Sequence, residues 1–377
     1  MRYDERIKKL NGLSEFINGE YQDDILLVLD KKYQDDKWST ICSAVHWFRT
    51  VEKYLTSEDL LKENKEDYNW GEVYLFLSAV DIVVEGVNDV NKIAKNNEKA
   101  RLFYKNNDIF KDEKKDDWEY FKNIRAIFGA HPTKLKDNKE YIVSTYPTPY
   151  NSLADRLSGT VKKWDYYTLL WKKEKSKSLE QLSFGFKFED IEMYLDKCIN
   201  YLDVIYKDFL DMIYNYKNEI SKEKIEQVDG PIKQLNILLK EDERRLNSRY
   251  EFILKDIKIL LNTKITDKKN RKIYEKYKNI LINQIPYLYN VIQHPEKYDN
   301  INEIENVLDS KVEYFTESSS YYYTKLYEYW NNIDMEVTLI KHFKDKIKPF
   351  NDNISNIKEL YCLVKAYNYL KNNKGEN

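Results

Sequence analysis

Apolar residues recur at helical spacing along much of this chain of 377 residues. Two stretches are the clearest, because alternating steps of four and three residues place their apolar side chains on one face of a helix. The first comprises Ile191, Leu195, Cys198, Leu202, Ile205, Phe209 and Met212. The second comprises Leu246, Tyr250, Ile253, Ile257 and Leu260. Each stretch predicts a helix that packs inward.

Weaker periodic patterns predict further helices. The most apolar run, 73–87, is too short to span a bilayer and is interrupted by Asp81, so we interpret it as a core helix and expect no membrane partner. The predicted helices cover 20–34, 37–55, 67–97, 115–130, 268–292, 302–332 and 354–372.

Three runs within 140–188 break the helical pattern. Residues 141–146 are β-branched and aromatic and end before Pro147, and residues 164–171 are rich in aromatic side chains. Phe184, Phe186 and Phe188 alternate with other residues, which is the period of a half-buried strand. A small sheet inserted between helices is therefore expected.

A polar stretch followed by Gly230-Pro231 predicts a domain boundary, which we place near residue 225. The expected fold is mainly α. Its first domain covers 1–225 and carries the β insertion at about 140–188. An all-helical second domain, without an assigned role, covers 226–377.

Bulk composition limits the classes of function. Three scattered cysteines and a charged start without an apolar leader favour a reducing, cytoplasmic location. The net charge of −2 gives no general attraction for nucleic acid, so a polyanion site must be a local patch. A phosphate-binding Gly-rich loop, Cys-x-x-Cys, His-Glu-x-x-His and Gly-x-Ser-x-Gly are absent from the sequence, which disfavours those enzyme classes.

The four histidines include one with informative neighbours. His131 follows Arg125 after five intervening residues, near the end of a predicted helix. A neutral imidazole can take the proton of an RNA 2′-hydroxyl, and a guanidinium can hold the phosphate with two hydrogen bonds, so this route needs no metal ion. The competing interpretation is that Arg125 forms a salt bridge and His131 satisfies the helix end.

The segment around Arg125 and His131 resembles the HEPN superfamily, helical bundles marked by Arg, four to six variable residues and His. The resemblance covers about 20–215 and implies a metal-independent endoribonuclease without a cofactor. Arg125 would orient the phosphate, and His131 would act as general base or acid. It also implies a homodimer, a toxin or phage-defence role, and an antitoxin or regulatory partner. Ala126 departs from the polar residue that usually follows the Arg, and Thr133 from the tyrosine of members regulated by nucleotide modification.

Residues 118–177 carry twelve Lys or Arg against six Asp or Glu. This local excess of positive charge predicts RNA contacts, with Tyr141, Trp164, Tyr166 and Trp171 as candidates for stacking on bases. Asp81 is a candidate for orienting Arg125, although the sequence favours the other interpretation, in which Asp81 points to water from the exposed side of its amphipathic helix. The candidate phosphate contacts are Lys122, Lys134, Lys136, Lys139, Lys162, Lys163, Lys172, Lys173, Lys175 and Lys177.

These observations favour a metal-independent endoribonuclease that acts on single-stranded or loop RNA. The alternative is a non-catalytic helical protein that binds RNA or an acidic protein partner through the same basic region. A purely structural helical protein is a third interpretation, and it predicts no affinity for nucleic acid even at low salt.

Overall fold

A computed structural model confirms that the protein is mainly helical. The chain divides into two compact units, Met1–Ile213 and Tyr214–Asn377, whereas the sequence suggested a division near residue 225. The structure describes residues 1–57, 70–103, 105–111, 115–130, 135–137, 140–144, 148–149, 164–173, 179–297, 301–308, 322, 325–326, 336–343, 346–348, 350–351 and 353–373.

The first unit contains two groups of helices separated by strands. A short 3-10 turn, Glu52–Tyr54, follows the third helix, and a π-helical turn, Arg125–Ala130, follows the fifth. The helices are α1 (Tyr3–Ile17), α2 (Gln22–Lys32), α3 (Lys37–Val51), α4 (Trp70–Ala94), α5 (Asp117–Ile124), α6 (Phe188–Asn200) and α7 (Leu202–Ser221), of which α7 continues past the end of the unit.

Helix α4 supplies much of the core of the first unit. Gly86 allows α3 to approach closely, because a methyl group at this position would lie 2.5 Å from ring atom Cε1 of Phe48. Asp81 and Glu85, one helical turn apart, both contact α5. The fully buried apolar residues of α4 include Leu77, Val80, Val83, Val84 and Val87.

Helix α1 is tied to α6 by a buried arginine. The side chain of Arg6 is 3% exposed, and its Nε and Nη2 lie 2.5 Å from Asp196 and 3.2 Å from Glu192. Its Nη1 donates to the carbonyl of Leu55, and Glu192 also accepts the backbone N–H of Ser57. One guanidinium therefore joins three segments of the chain.

The strands form an antiparallel sheet between α5 and α6. The long strand β4 pairs along its whole length with β5, and its other edge pairs with β2 and β3. Strand β1 extends the sheet beyond β2. The strands are β1 (Leu135–Asp137), β2 (Glu140–Ser144), β3 (Thr148–Pro149), β4 (Tyr166–Lys173) and β5 (Leu179–Phe186).

Two sequence predictions near the sheet need correction. Phe188 begins α6 rather than continuing a strand, because Asp165 accepts its backbone N–H at 3.0 Å and so starts the helix. The apolar stripe that starts at Ile191 is buried as predicted, but the helix is interrupted at Tyr201, between α6 and α7.

The second unit consists of helices wherever the structure describes regular elements. No helix of the described ranges is long and apolar enough to cross a membrane. The helices that begin in this unit are α8 (Pro231–Leu246), α9 (Glu251–Asn262), α10 (Lys268–Gln293), α11 (Asn302–Leu308), α12 (Glu336–Phe343) and α13 (Ile357–Asn372).

The second apolar stripe of the sequence does not form a single helix. Asn247 and Ser248 adopt left-handed backbone conformations, with φ of 49° and 62°, which separate α8 from α9. Asparagine tolerates this conformation better than most residues. The buried carboxylate of Asp242 closes the turn by accepting the backbone N–H of Tyr250 at 2.9 Å.

Candidate functional site

Helix α5 and the π-helical turn that follows it carry the candidate site. Asp116 accepts the backbone N–H of Glu119 at 2.9 Å and thereby starts the helix. In a π-helical turn each backbone N–H bonds the carbonyl five residues earlier. The angular spacing of side chains on an ideal α-helix therefore does not predict the directions of the side chains that follow Arg125. The face that packs into the core contains Tyr120, Phe121, Ile124, Ile127 and Phe128.

Contacts with the sheet fix the position of this helix. The hydroxyl of Tyr120 donates to the carbonyl of Gly185 at 2.9 Å, and the rings of Phe128 and Phe186 pack edge to face. Gly185 is required because an added methyl group would lie 2.4 Å from a backbone oxygen of Tyr166. The first turn of α5 and the π-helical turn are thus both anchored on β5.

Arg125 lies where α5 passes into the π-helical turn, and its side chain is 45% exposed. Its Nε is 2.7 Å from Oδ2 of Asp81, whose side chain is only 8% exposed. A buried carboxylate therefore holds one side of the guanidinium. His131, the other residue of the predicted pair, lies outside the described residues.

Lys122 shares the same carboxylate. Its Nζ lies 3.2 Å from Oδ1 of Asp81 and also contacts Glu85 of α4. Burial lowers the pKa of Lys122, while Asp81 partly offsets that effect. Asp81 therefore bridges Lys122 of α5 and Arg125 of the π-helical turn. The predicted contact of Lys122 with RNA stays a prediction, and RNA would have to compete with two carboxylates for this side chain.

The sequence analysis missed Trp118 as a candidate site residue. Lys122 Nζ lies 5.0 Å from the centre of its ring, and the guanidinium carbon of Arg101 lies 5.8 Å away. Trp118 precedes Lys122 by four residues, and Lys122 precedes Arg125 by three, so the three lie along one helix face. This spacing was the signal in the sequence that could have identified Trp118 as a neighbour of Arg125.

The other candidate RNA contacts fall into three groups: residues packed in the protein, residues of which only the backbone is described, and residues outside the described ranges. Tyr166 has no exposed surface, so the prediction that it stacks on bases is wrong, and Trp164 packs against Gly185. The structure describes only the backbone of Lys136 in β1 and of Trp171, Lys172 and Lys173 in β4. Those that lie outside the described residues are Lys134, Lys139, Lys162, Lys163, Lys175 and Lys177.

The chemistry available at the described part of the site is phosphate binding. A guanidinium held through Nε presents its two terminal nitrogens for a bidentate contact with an anion. In the portion of the chain that the structure describes, no group of three or more His, Cys, Asp or Glu side chains is arranged to hold a metal ion.

Comparison with known proteins gives no match, since no family model, curated protein or solved structure is significantly similar to this chain.

Proposed function

We propose that the protein is a metal-independent endoribonuclease of HEPN type, in which Arg125 and His131 act on one phosphodiester. The observation that carries this proposal is the half-exposed Arg125, held through Nε by the buried Asp81 at the end of α5. An arginine oriented in this way suits a phosphate, because its terminal N–H groups match two phosphate oxygens.

The proposed reaction uses the RNA's own 2′-hydroxyl as nucleophile. An imidazole removes the 2′-proton, and the oxygen attacks the adjacent phosphorus. The bond from phosphorus to the 5′-oxygen breaks, and the leaving oxygen takes a proton from the general acid. The products are a 2′,3′-cyclic phosphate and a 5′-hydroxyl end. His131 supplies the base or the acid, and Arg125 stabilises the charge that develops on the phosphate.

The HEPN resemblance extends this proposal to the biological setting. We infer a cytoplasmic toxin or phage-defence effector that acts as a homodimer and is held in check by an antitoxin or regulatory protein. A homodimer brings two copies of the motif to one cleft, which supplies both a base and an acid. Size measurement of the purified protein tests the dimer, and a monomer that cleaves RNA contradicts it.

Purified protein, labelled RNA and EDTA provide the direct test. Arg125→Ala and His131→Ala are both expected to abolish cleavage, and Arg125→Lys is expected to remain impaired because lysine lacks the fork of donors. His46→Ala is the matched control, since His46 is an exposed histidine of α3. Unchanged cleavage by the Arg125 and His131 variants refutes the proposal.

A second candidate function is RNA binding without cleavage. One observation favours it: Ala126 offers no polar group beside Arg125. Expression in a host cell separates the candidates. A ribonuclease arrests growth in a manner that His131→Ala abolishes, whereas a binding protein gives the same growth with and without that substitution.

A further inference from the structure

The exposed side of α5 combines an aromatic ring with cations in a single row. We call Trp118, Lys122 and Arg125 the α5 row. Their spacing of four and three residues places them above one another on consecutive helical turns. Trp118 and Lys122 are half-buried, and Arg125 is exposed. The row is thus accessible at the end that carries the proposed phosphate site.

Two cations lie close to the indole of Trp118. Lys122 Nζ lies 5.0 Å from its ring centre, and Arg101 Cζ reaches the same ring at 5.8 Å from the loop that precedes α5. Arg101 also lies 3.9 Å from Asp116, at the start of the helix. An aromatic ring with adjacent cations is the combination that binds single-stranded nucleic acid. Lys122 is paired with Asp81 and Glu85, and Arg101 lies beside Asp116, so here the indole supplies the stacking contact and Arg125 supplies the contact with the backbone.

We propose that Trp118 is a stacking subsite for an unpaired base of the RNA whose scissile phosphate is held by Arg125. This inference rests on the proposed function and adds the substrate class, a single strand that is unpaired beside the cleaved bond. A base inside a duplex is already stacked and paired, so it has no free face for Trp118.

The helical rise sets the distance between the subsite and the phosphate. Seven residues separate Trp118 from Arg125, which corresponds to about 10 Å along a helix axis at about 1.5 Å per residue. Nucleotides stacked at about 3.4 Å each cover that length in about three steps. The stacked base therefore belongs to a nucleotide close to the cleaved bond, within the unpaired segment and not in a distant part of the RNA.

Binding to the His131→Ala variant of the full chain measures this subsite separately from cleavage. The probe is a short labelled single-stranded RNA, followed by fluorescence anisotropy in EDTA, and its fully paired duplex serves as the comparison. We expect Trp118→Leu to weaken single-strand binding by about 5- to 100-fold, the range typical of one stacked base. Trp118→Phe retains a stacking ring and is expected to keep most of the affinity.

Trp47→Leu provides the matched control, because Trp47 is a half-exposed tryptophan on α3 of the same unit. Its affinity for RNA is expected to equal that of the parent, and thermal melting checks that every variant is folded. The duplex is expected to bind more weakly than the single strand and to be insensitive to Trp118→Leu.

Several results overturn the stacking subsite: equal affinity in Trp118→Leu and the parent, equal loss in Trp118→Phe and Trp118→Leu, or no binding of single-stranded RNA at all. These results are distinguishable from failure of the proposed function. If Arg125→Ala and His131→Ala leave cleavage unchanged while binding still depends on Trp118, the nuclease assignment fails and the subsite remains. If cleavage requires both residues but neither binding nor cleavage changes in Trp118→Leu, the subsite alone fails.

Discussion

Replacing Asp242 by asparagine is expected to remove a pH dependence of stability from the second unit. The Asp242 side chain is fully buried, and among the described residues its Oδ1 has no hydrogen-bond partner. Burial raises its pKa from the ordinary 3.8 to about 7, and nearby Glu251 adds to the effect, whereas the N–H of Tyr250 opposes it. The folded protein therefore keeps a proton that the unfolded chain releases.

The sign and size follow from this difference in pKa. Between pH 4 and pH 7 the folded state binds more protons than the unfolded state, so the contribution of Asp242 to the free energy of unfolding falls as pH rises. Below pH 4 the contribution is fully present, and above pH 7 it is lost. At about 1.4 kcal/mol for each pH unit, the upper limit of the change is about 4 kcal/mol.

Urea unfolding at pH 5 and pH 8 measures this change in the parent and in Asp242→Asn. The amide retains an acceptor for the Tyr250 N–H but carries no charge, so the variant is expected to lose less stability between the two pH values. Each protein is compared with itself at pH 5 and pH 8, so any pH-independent effect of the new NH₂ group on the free energy of unfolding cancels. Glu243→Gln, an exposed neighbour, is the control. Equal changes with pH in Asp242→Asn and the parent refute the reasoning.

Three further substitutions, together with one control, test other features of the first unit. Arg6→Ala removes the buried guanidinium from Glu192 and Asp196, of which Asp196 keeps the N-terminal ammonium of Met1, and is expected to cost about 3 kcal/mol in urea unfolding. A loss below about 1 kcal/mol contradicts the buried network. Gly86→Ala forces a methyl group against Phe48 and is expected to cost about 1–3 kcal/mol. Gly12→Ala, also inside a helix but 3.4 Å from its nearest neighbour, is expected to melt at the parent temperature or higher, and equal destabilisation of both glycine variants excludes the steric explanation. Asp81→Asn is expected to slow RNA cleavage by about 10- to 100-fold through loss of Arg125 orientation, and unchanged cleavage shows that Asp81 has no positioning role.

The sequence predicted helical faces better than helical ends. The stripe that begins at Ile191 is buried because its spacing follows helix geometry, which a single sequence records directly. The break at Asn247 depends on a left-handed backbone conformation that the apolar pattern does not encode, and the apolar stripe continues unchanged across the break at Tyr201. The sequence pattern did not predict helix α1, because charged residues interrupt its apolar face. One of these residues, Arg6, is buried through its contacts with Glu192 and Asp196, which are far away in the sequence.

The candidate site was predictable where it depends on local spacing and less so where it depends on tertiary contacts. The sequence identified Arg125 and raised Asp81 as a possible partner, and the two carry a 2.7 Å ion pair. It did not predict that Glu85 would also contact Lys122. Many pairs of acidic residues in this sequence have the four-residue spacing of Asp81 and Glu85 by chance, so the spacing alone gave no signal. Tyr166 was misjudged since strand periodicity does not tell which face the helices cover. The HEPN assignment and the role of His131 stay predictions.

The anchoring of α1 by Arg6 has a consequence for synthesis on the ribosome. Its partner Asp196 lies 190 residues further along the chain. At about 5–20 residues per second, translation needs roughly 10–40 s to produce that partner. During this interval the nascent α1 exposes an apolar face, and Arg6 lacks its acidic partners. We therefore expect chaperones that act on growing chains to bind this segment.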